Sequence, residues 1–522
     1  MDTKALRQKI LDLAIRGKLV PQDPNDEPAE VLLERIREQK QQMFKEGKLK
    51  KKDIKNDTII FKGEDNLHYE KFQDGTVKCI EDEIPFEVPE GWSWTRLGSF
   101  FLTVTGSTPS TKDASLYGTE YPFYKPTDLN AGYNVYCAED SVSKKGYLSG
   151  RPLPKFSVLV TCIGATIGKT GYISNAGICN QQINAILPNS EILPAYTYFC
   201  MCSQYEQQQI CINSSATTLP ILNKSKFDNL LFPIPPKEQQ SQIVDRIKSL
   251  LLFVENIQNN QETLKKTVAE AKSKILDLAI RGKLVPQDLN DEPASVLIER
   301  IRAEKEELIK QGKIKRNKKE SVIFKGDDNS YYLRTGGIEE SLEDWRFDDL
   351  PETWKICCLG ELCDYGDCIN VNTEDIPEDA WILDLEDIEK DTGTVLKKVT
   401  KAQRNSVSTK HKFHSGQVLY SKLRPYLNKV VLSDADGYCT SEILPLEFKK
   451  CVLPEYARYY LMSSTFIAYA NHCSYGVKMP RLGTTDGKKA IFSLPPLSEQ
   501  KRIVETIDFY FMQLNKVSEA LA

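Results

Sequence analysis

Catalytic signatures are missing from this chain. It has no HExxH, no CxxC pair, no GxSxG, no GxGxxG and no Asn-Pro-Pro-Tyr signature of the amino-methyltransferases. The metal, redox, hydrolase and methyl-transfer chemistries that need those spacings therefore find no support in it. No run approaches the roughly 20 apolar residues that span a bilayer, and the start MDTKALRQKI lacks the apolar core of a secretory signal. A cytoplasmic location is expected. A uniformly basic coat is also absent, because the net charge is −4 and the sequence pI about 5.9; any anion-binding surface must be local. The 14 cysteines follow no regular spacing, which suits reduced thiols better than a disulfide frame. With 522 residues the chain exceeds one core and predicts roughly three or four compact units.

Several stretches come close to a known motif without meeting it. IGATIGKT, Ile163 to Thr170, places GKT behind a glycine turn, but only three residues separate Gly164 from Gly168. A phosphate loop needs four, followed by a helix. The continuation GYISNAGIC is β-branched and turn-rich. CCLGELCDYGDC, Cys357 to Cys368, clusters thiols without the paired spacing of a zinc site. HKFH, His411 to His414, is explained by a loop leading into a strand, and the nuclease-like ExK at Glu447 and Lys449 is a chance-level triplet. No cofactor is expected in this chain.

What the chain does contain is itself, twice. KILDLAIRGKLVPQD at Lys9 to Asp23 returns unchanged at Lys274 to Asp288, and NDEPAEVLLERIREQK, IFKGEDN and PEGW recur as NDEPASVLIERIRAEK, IFKGDDN and PETW. Beyond Trp92 and Trp354 similarity falls, then reappears in FPIPPKEQQSQIVDRI, Phe232 to Ile247, against FSLPPLSEQKRIVETI, Phe492 to Ile507. Two divergent inserts thus sit between near-identical flanks, the pattern of a shared scaffold carrying two different recognition elements. Within the inserts VLVTCIGATIGKT aligns with VLYSKLRPYLNKV, so Arg424 replaces Gly164, Asn428 replaces Gly168 and Lys429 matches Lys169. A phosphate loop would not survive that exchange. A variable contact loop would.

Ile243, Ile247, Leu250, Val254, Ile257, Gln261, Leu264, Val268, Ala271, Ile275 and Leu278 alternate steps of four and three, a heptad seam. Ile503, Ile507, Tyr510, Leu514, Val517 and Leu521 repeat its first part, and Leu6, Ile10 and Leu13 its later part. The terminal helices together therefore copy the central one, which predicts cyclically arranged repeats, chain ends side by side and a pseudo-twofold molecule. The central helix is expected from near Pro236 to Arg281, with Gly282 as its left-handed cap, as an antiparallel partner of the C-terminal helix; an intermolecular coiled coil is the alternative. Gln261 is either a register device or a solvated break.

Charge separates along the second insert. Glu361 to Asp391 holds twelve acids against one base, and Thr392 to Ile491 sixteen bases against six acids. Lys410, Lys412, Lys422, Arg424, Lys429, Lys478 and Arg481 lie there beside Tyr420, Tyr426 and Tyr475, as donors for guanine edges and phosphates or as a solvated charged face. The first insert is near neutral. Its candidates lie in TGSTPSTKD, YKPTDLN, GKT and SSATTLPILNKSK, namely Ser107, Thr108, Lys125, Lys169, Thr170 and Lys224; plain surface loops are the alternative. Lysine runs at Gly47 to Lys55 and Gly312 to Lys319 occur once per copy and suit shared backbone contacts.

The duplicated ILDLAIRGKLVPQ flanks, KLRPYLNK, GVKMPRL and LPPLSEQKRIV together resemble the specificity subunit of type I restriction-modification systems, over essentially the whole chain. The resemblance implies an α+β fold in which two mixed α/β target-recognition domains are joined by an antiparallel pair of long helices. Residues 98–233 and 360–493 would be those domains, 234–282 the central helix, and 1–97, 283–359 and 494–522 conserved segments. It further implies that the subunit reads bipartite double-stranded DNA, one half per domain, without catalysis. Two methyltransferase subunits using S-adenosylmethionine to modify adenine would dock on the helices marked by Ile243, Ile247, Leu250, Val254, Ile503, Ile507 and Leu514. Motor-nuclease subunits using ATP and magnesium would complete the complex. The different inserts predict an asymmetric target. An ATP-dependent enzyme built on GKT and a protein-binding coiled-coil adaptor are the competing classes. Segments following LVPQ in each copy are long additions whose contacts the sequence leaves open.

Overall fold

A computed structural model describes residues 2–215, 219–313, 321–328, 330–342, 350–404 and 408–521. The lysine run from Ile314 onward and Ala216 to Thr218 lie outside the described residues. The chain divides into two compact units, Met1–Asn260 and Gln261–Ala522, which repeat one another in their frame.

In the first unit, helix Thr3–Ile15 starts at Asp2, whose side chain accepts from the amides of Lys4 and Ala5 at 2.9 Å and so satisfies donors that a helix start leaves open. Helix Ala29–Lys45 follows, then an antiparallel meander of Ile59–Lys62, His68–Lys71 and Val77–Cys79. Helix Ala29–Lys45, the short turn of helix Lys51–Ile54 and this meander are together what the long addition forms. Strand Ser93–Arg96 then pairs antiparallel with Leu231–Ile234, closing a bracket around the insert. Inside the bracket Thr103–Thr105, Ile183–Ile186, Val158–Thr161 and Thr170–Tyr172 form one sheet in that order, and Ile178–Cys179, Tyr117–Tyr124 and Asp140–Val142 another.

The second unit builds the same frame. Helix Ala294–Lys310, the meander Ser321–Lys325, Tyr331–Thr335 and Ile338–Ser341, and the bracket Lys355–Cys358 with Leu494–Ile491 appear in the same order. Its insert differs inside. Ile369–Val371, Lys410–Phe413, Gly437–Thr440, Trp381–Leu383 and Val399–Thr400 make a five-stranded sheet, and Val430–Leu432, Val418–Ser421 and Ile443–Leu446 a three-stranded one.

The central helix runs Lys237–Ala279, 43 residues, on the order of 65 Å long. It stops two residues before the expected end, where Lys283 N–H bonds Leu278 O at 2.9 Å and Gly282 N–H bonds Ala279 O at 3.2 Å, with Gly282 at φ +66°. This double bond over a left-handed residue is the Schellman close. Gly17 ends the N-terminal helix in the same way, with Lys18 on Leu13 and Gly17 on Ala14. In the first unit Ile243, Val244, Ile247 and Val254 pack with Ile10, Leu11, Ala14 and Ile15 in one core. In the second, Leu276, Ala279 and Ile280 pack with Ile503 and Ile507 of helix Leu497–Ala520. There Gln261 Nε2 bonds Leu521 O at 3.3 Å and Lys272 Nζ bonds Asn515 at 2.6 Å, so numbers rise on one helix as they fall on the other. That pair is antiparallel.

The repeated flanks prove to be a side-chain knot. Trp92 Nε1 donates to Gln22 and Gln239, both at 3.1 Å, and Trp354 Nε1 donates to Glu499 at 2.9 Å while Gln287 donates to the same carboxylate at 2.6 Å. LVPQ, the tryptophan and the helix start thus meet in each copy, which is why those three motifs recur together.

One buried group in the first insert has only long contacts, from Cys200 Sγ at 4.0 Å and Gln209 Nε2 at 3.5 Å. Glu206, in the first turn of helix Gln204–Asn213, is wholly buried, and its counterpart Phe466 is apolar. Burial pushes the Glu206 carboxyl well above the usual range. A carboxyl raised in the folded state contributes stability at acid pH that is lost as pH rises past its unfolded value of about 4.3. Glu206→Gln is therefore expected to raise the denaturant midpoint at pH 8 and to change it little at pH 4. Equal shifts at both pH values would show the carboxyl to be ionised in the fold.

Candidate nucleic-acid interface

The turn after Val158–Thr161 is closed by Gly168 N–H on Thr161 O and Thr161 N–H on Lys169 O, both 2.8 Å, and leads into strand Thr170–Tyr172. A strand follows where a phosphate loop would have a helix. Gly164 and Gly168 stand at φ +99° and +84°. In the second unit the turn after Val418–Ser421 keeps one of these bonds, Ser421 N–H on Lys429 O at 3.1 Å, while Asn428 N–H turns to Pro425 O at 2.9 Å, and Arg424 and Asn428 take φ +50° and +48°. A non-glycine residue in the left-handed region costs roughly 1–2 kcal/mol. The second insert keeps two of them where the first has glycine.

A second loop clamps each turn. Gly164 N–H bonds Pro220 O at 3.0 Å and Leu222 N–H bonds Cys162 O at 2.8 Å; Arg424 N–H bonds Pro480 O at 2.7 Å and Leu482 N–H bonds Lys422 O at 3.0 Å. Within the clamps Ser215 pairs with Ile221, and Tyr475 with Arg481. Both units therefore present a two-loop head of one backbone design and different side chains.

The side chains divide into engaged and free. Lys410 and Thr170 are buried, at 2% and 7% exposure. Lys410 lies 3.6 Å from Asp384, and the Thr170 hydroxyl donates to Gly168 O. Neither can reach a nucleic acid, which corrects their assignment as contacts. Lys410 and Lys412 share one face of strand Lys410–Phe413, but Asp384 and Ser408 lie against Lys410 while Lys412 stays exposed. Arg481 forks onto Glu442 at 2.8 and 3.0 Å, Lys429 donates to Leu385 O at 2.7 Å, and partial burial lowers the Lys429 pKa. In the first unit Lys125 is paired with Asp140, Lys224 with Asp228, and Lys169 donates to Asn130 at 2.8 Å. Thr108 bonds Gln181 at 2.6 Å, and Ser107 gives its amide to Cys179 O at 2.9 Å. Among the described residues, Lys412, Lys422, Arg424 and Lys478 of the candidate cations have no acceptor.

The basic excess of the second insert is thus partly cancelled in space. Arg404 is held by Asp384 and Asp387, Lys401 by Glu378 and Lys488 by Asp367, so acids of the preceding segment fold back onto the bases. Exposed apolar residues stand among the free cations instead. Tyr426 and Tyr475 are at least half exposed, Val477 wholly so, and Met479 is exposed beside them. Val477 and Met479 did not stand out in the sequence, although GVKMPRL flanks Lys478 with them.

The helix residues chosen as docking marks also need correction. Ile243, Ile247, Val254, Ile503 and Ile507 are buried in the two cores, and Leu250 and Leu514 are half-buried. Seam residues buried within the chain offer no outer surface. The exposed apolar residues of those helices are Leu252, Phe253 and Leu264 on the central helix, and Phe509, Tyr510, Met512 and Val517 on the C-terminal one. Leu252 and Met512 occupy equivalent repeat positions.

Neither thiols nor imidazoles form a promising metal centre. Cys357 and Cys363 are buried, and burial pushes both thiols up, favouring the form that does not ligate. His411 Nδ1 lies 2.8 Å from Ile443 O, and His414 pairs with Glu447 at 2.7 Å. The trio His68, Glu81 and Glu87 brings its ligating atoms within 4.8 Å, but His68 bonds Glu81 at 2.8 Å and Lys62 sits 3.4 Å from Glu87, which accounts for it. No helix of the described residues is long and apolar enough to cross a membrane.

A family model for the type I restriction modification DNA specificity domain matches residues 89–266 and again 351–520. The chain belongs to that family. Both matches start just before the tryptophan of a knot and end within a long helix, so each takes in one bracketed insert. The specificity subunit of the type I restriction enzyme EcoEI from Escherichia coli is 26% identical over 99% of this chain and 90% of its own length. That of EcoAI, also from Escherichia coli, is 27% identical over 98% and 90%. A chain from a solved type I restriction-modification system superposes with a TM-score of 0.52 at 17% identity, covering 84% of this chain and 94% of its own, and shares the fold. The specificity family therefore accounts for the mixed α/β inserts, the duplicated frame and the long helix.

Proposed function

We propose that this specificity subunit reads a bipartite, asymmetric DNA site, one half with each insert, residues 98–233 and 360–493 being the two target-recognition domains. It recruits adenine-methyltransferase subunits and motor-nuclease subunits and performs no catalysis of its own. S-adenosylmethionine, ATP and magnesium belong to those partners. The observation that carries this reading is the pair of two-loop heads, one backbone design on repeated frames, armed with different residues. Shared frames suit partners that come twice; different heads suit two different half-sites. Leu252, Phe253, Phe509, Tyr510 and Met512 supply apolar surface for the methyltransferase subunits. Lys412, Lys422 and Lys478 supply phosphate contacts, which make affinity fall with salt.

The test is adenine methylation across the genome of cells carrying this gene with its neighbouring methyltransferase gene, against cells lacking it. A gapped two-part motif that vanishes on deletion is expected, and exchanging residues 360–493 for those of a relative should change one half only. Unchanged methylation, together with DNA affinity of the assembled complex insensitive to Lys422→Ala and Lys478→Ala, would leave a protein-binding scaffold instead.

A further inference from the structure

We propose that Arg424 is the residue by which the second insert requires a guanine in its half of the site, and that the first insert lacks this requirement because Gly164 stands at the equivalent position. The inference rests on the DNA-reading function proposed above and assigns a base to one side chain.

Three observations converge on Arg424. Its backbone is left-handed at φ +50°, ψ +64°, in a turn whose other copy uses glycine, so nothing about the turn itself calls for an arginine. Glycine would take that conformation more easily. Whatever keeps arginine there must act through the side chain. The guanidinium, secondly, is unengaged: its Nε is shielded from water without an acceptor, and no hydrogen bond or ion pair of the side chain occurs among the described residues. The other arginines of this insert behave otherwise, with Arg481 on Glu442, Arg404 on Asp384 and Asp387, and Arg458 on Thr392 O. Thirdly, the root of the side chain is fixed. Pro425 follows it, its own amide is bonded to Pro480 O, and Leu427 N–H closes back onto Arg424 O at 2.9 Å.

A planar fork on a fixed root matches two adjacent acceptors in one plane. Guanine presents such a pair, N7 and O6, on its major-groove edge; adenine places a donor beside N7, and the pyrimidines offer no such pair. A phosphate is the other partner for a fork. Here the free lysines Lys412, Lys422 and Lys478 already supply mobile point charges for phosphates, and a residue locked in register suits a base better than a backbone that repeats along the groove. Gly164 has no side chain to offer.

The test compares the methylation motifs set in cells by the full complex with Arg424→Gly and with Arg424→Lys, the second half having been identified by insert exchange. Arg424→Gly is expected to fold with an unfolding midpoint no lower than the parent, since glycine fits the turn. Discrimination for guanine at one position of the second half should fall roughly 10- to 100-fold, with the first half unchanged. Arg424→Lys should relax the same position although it keeps the charge. An unchanged motif with uniformly weaker methylation in both variants would make Arg424 a phosphate contact and overturn the proposal, as would a second half without guanine. If the parent complex sets no two-part motif at all, it is the DNA-reading function that fails, and this assignment with it.

Discussion

Gly282→Ala is expected to destabilise the second unit by about 3 kcal/mol, and Gly17→Ala to do the same to the first. Both glycines close a helix at positive φ, +66° and +63°. A Cβ at Gly282 would lie under 3.0 Å from Pro351 and 3.3 Å from Trp354; at Gly17 it would lie under 3.0 Å from Pro89 and 3.2 Å from Trp92. The left-handed backbone accounts for about 1 kcal/mol and the overpacking for a further 1–3 kcal/mol. The obstacle is a proline ring and the indole of the knot, neither of which can swing aside as a lysine would. Gly312→Ala is the comparison, because it shares the backbone term at φ +69° and has nothing within 4 Å. Denaturant midpoints should therefore separate Gly282→Ala from Gly312→Ala by about 2 kcal/mol. Equal losses would mean that the glycine is needed for its torsion alone and that the tryptophan yields.

Those two glycines show what was legible in the sequence. Repetition of RGKLVPQD, PE-x-W and PP-x-x-(E/Q)-Q implied a common framework, and the structure shows the reason: glycine, glutamine, tryptophan and helix start are in contact in each copy. The long helix and the seam were legible because their period is local. The equivalence of IGATIGKT and LRPYLNKV was legible too, and the shared positive φ explains how glycine can exchange with arginine and asparagine there. The fate of individual charges was not legible. Lys410 and Lys412 share a strand face, so which of them meets water depends on Asp384 lying against Lys410, and whether Arg481 is free depends on Glu442, 39 residues away. A count of bases along a segment cannot register an acid folded back from another strand. The docking residues failed for a related reason, since periodicity marks the face that is buried and says nothing of the face left for a partner.

Gln500 is the position where a change of one atom type should cost most. It is fully buried; its Oε1 accepts from Leu453 N–H at 2.8 Å, and its Nε2 donates to Cys451 O at 2.9 Å and Pro495 O at 3.0 Å. One side chain thereby joins the loop after Ile443–Leu446, the start of helix Pro454–Leu461 and the strand-to-helix join, fixing the insert to the C-terminal helix. Gln240 does the same in the first unit through Leu193 N–H, Glu191 O and Pro235 O. Gln500→Glu preserves shape and the accepted bond, but sets a second oxygen against two carbonyl oxygens. As a carboxylate it repels both and leaves them unpaired, at about 3 kcal/mol or more; as a carboxylic acid it can donate to one of them. Its folded pKa must then lie above the unfolded value of about 4.3, so stability is retained below that pH and lost as pH rises toward the folded value. Chemical denaturation of Gln500→Glu should show near-parental stability at pH 4 and a loss of about 3 kcal/mol at pH 8. Gln500→Ala, which removes all three bonds, should lose a similar amount at both. A loss independent of pH in Gln500→Glu would mean that water enters to solvate the carboxylate and that the join is looser than its hydrogen bonds indicate.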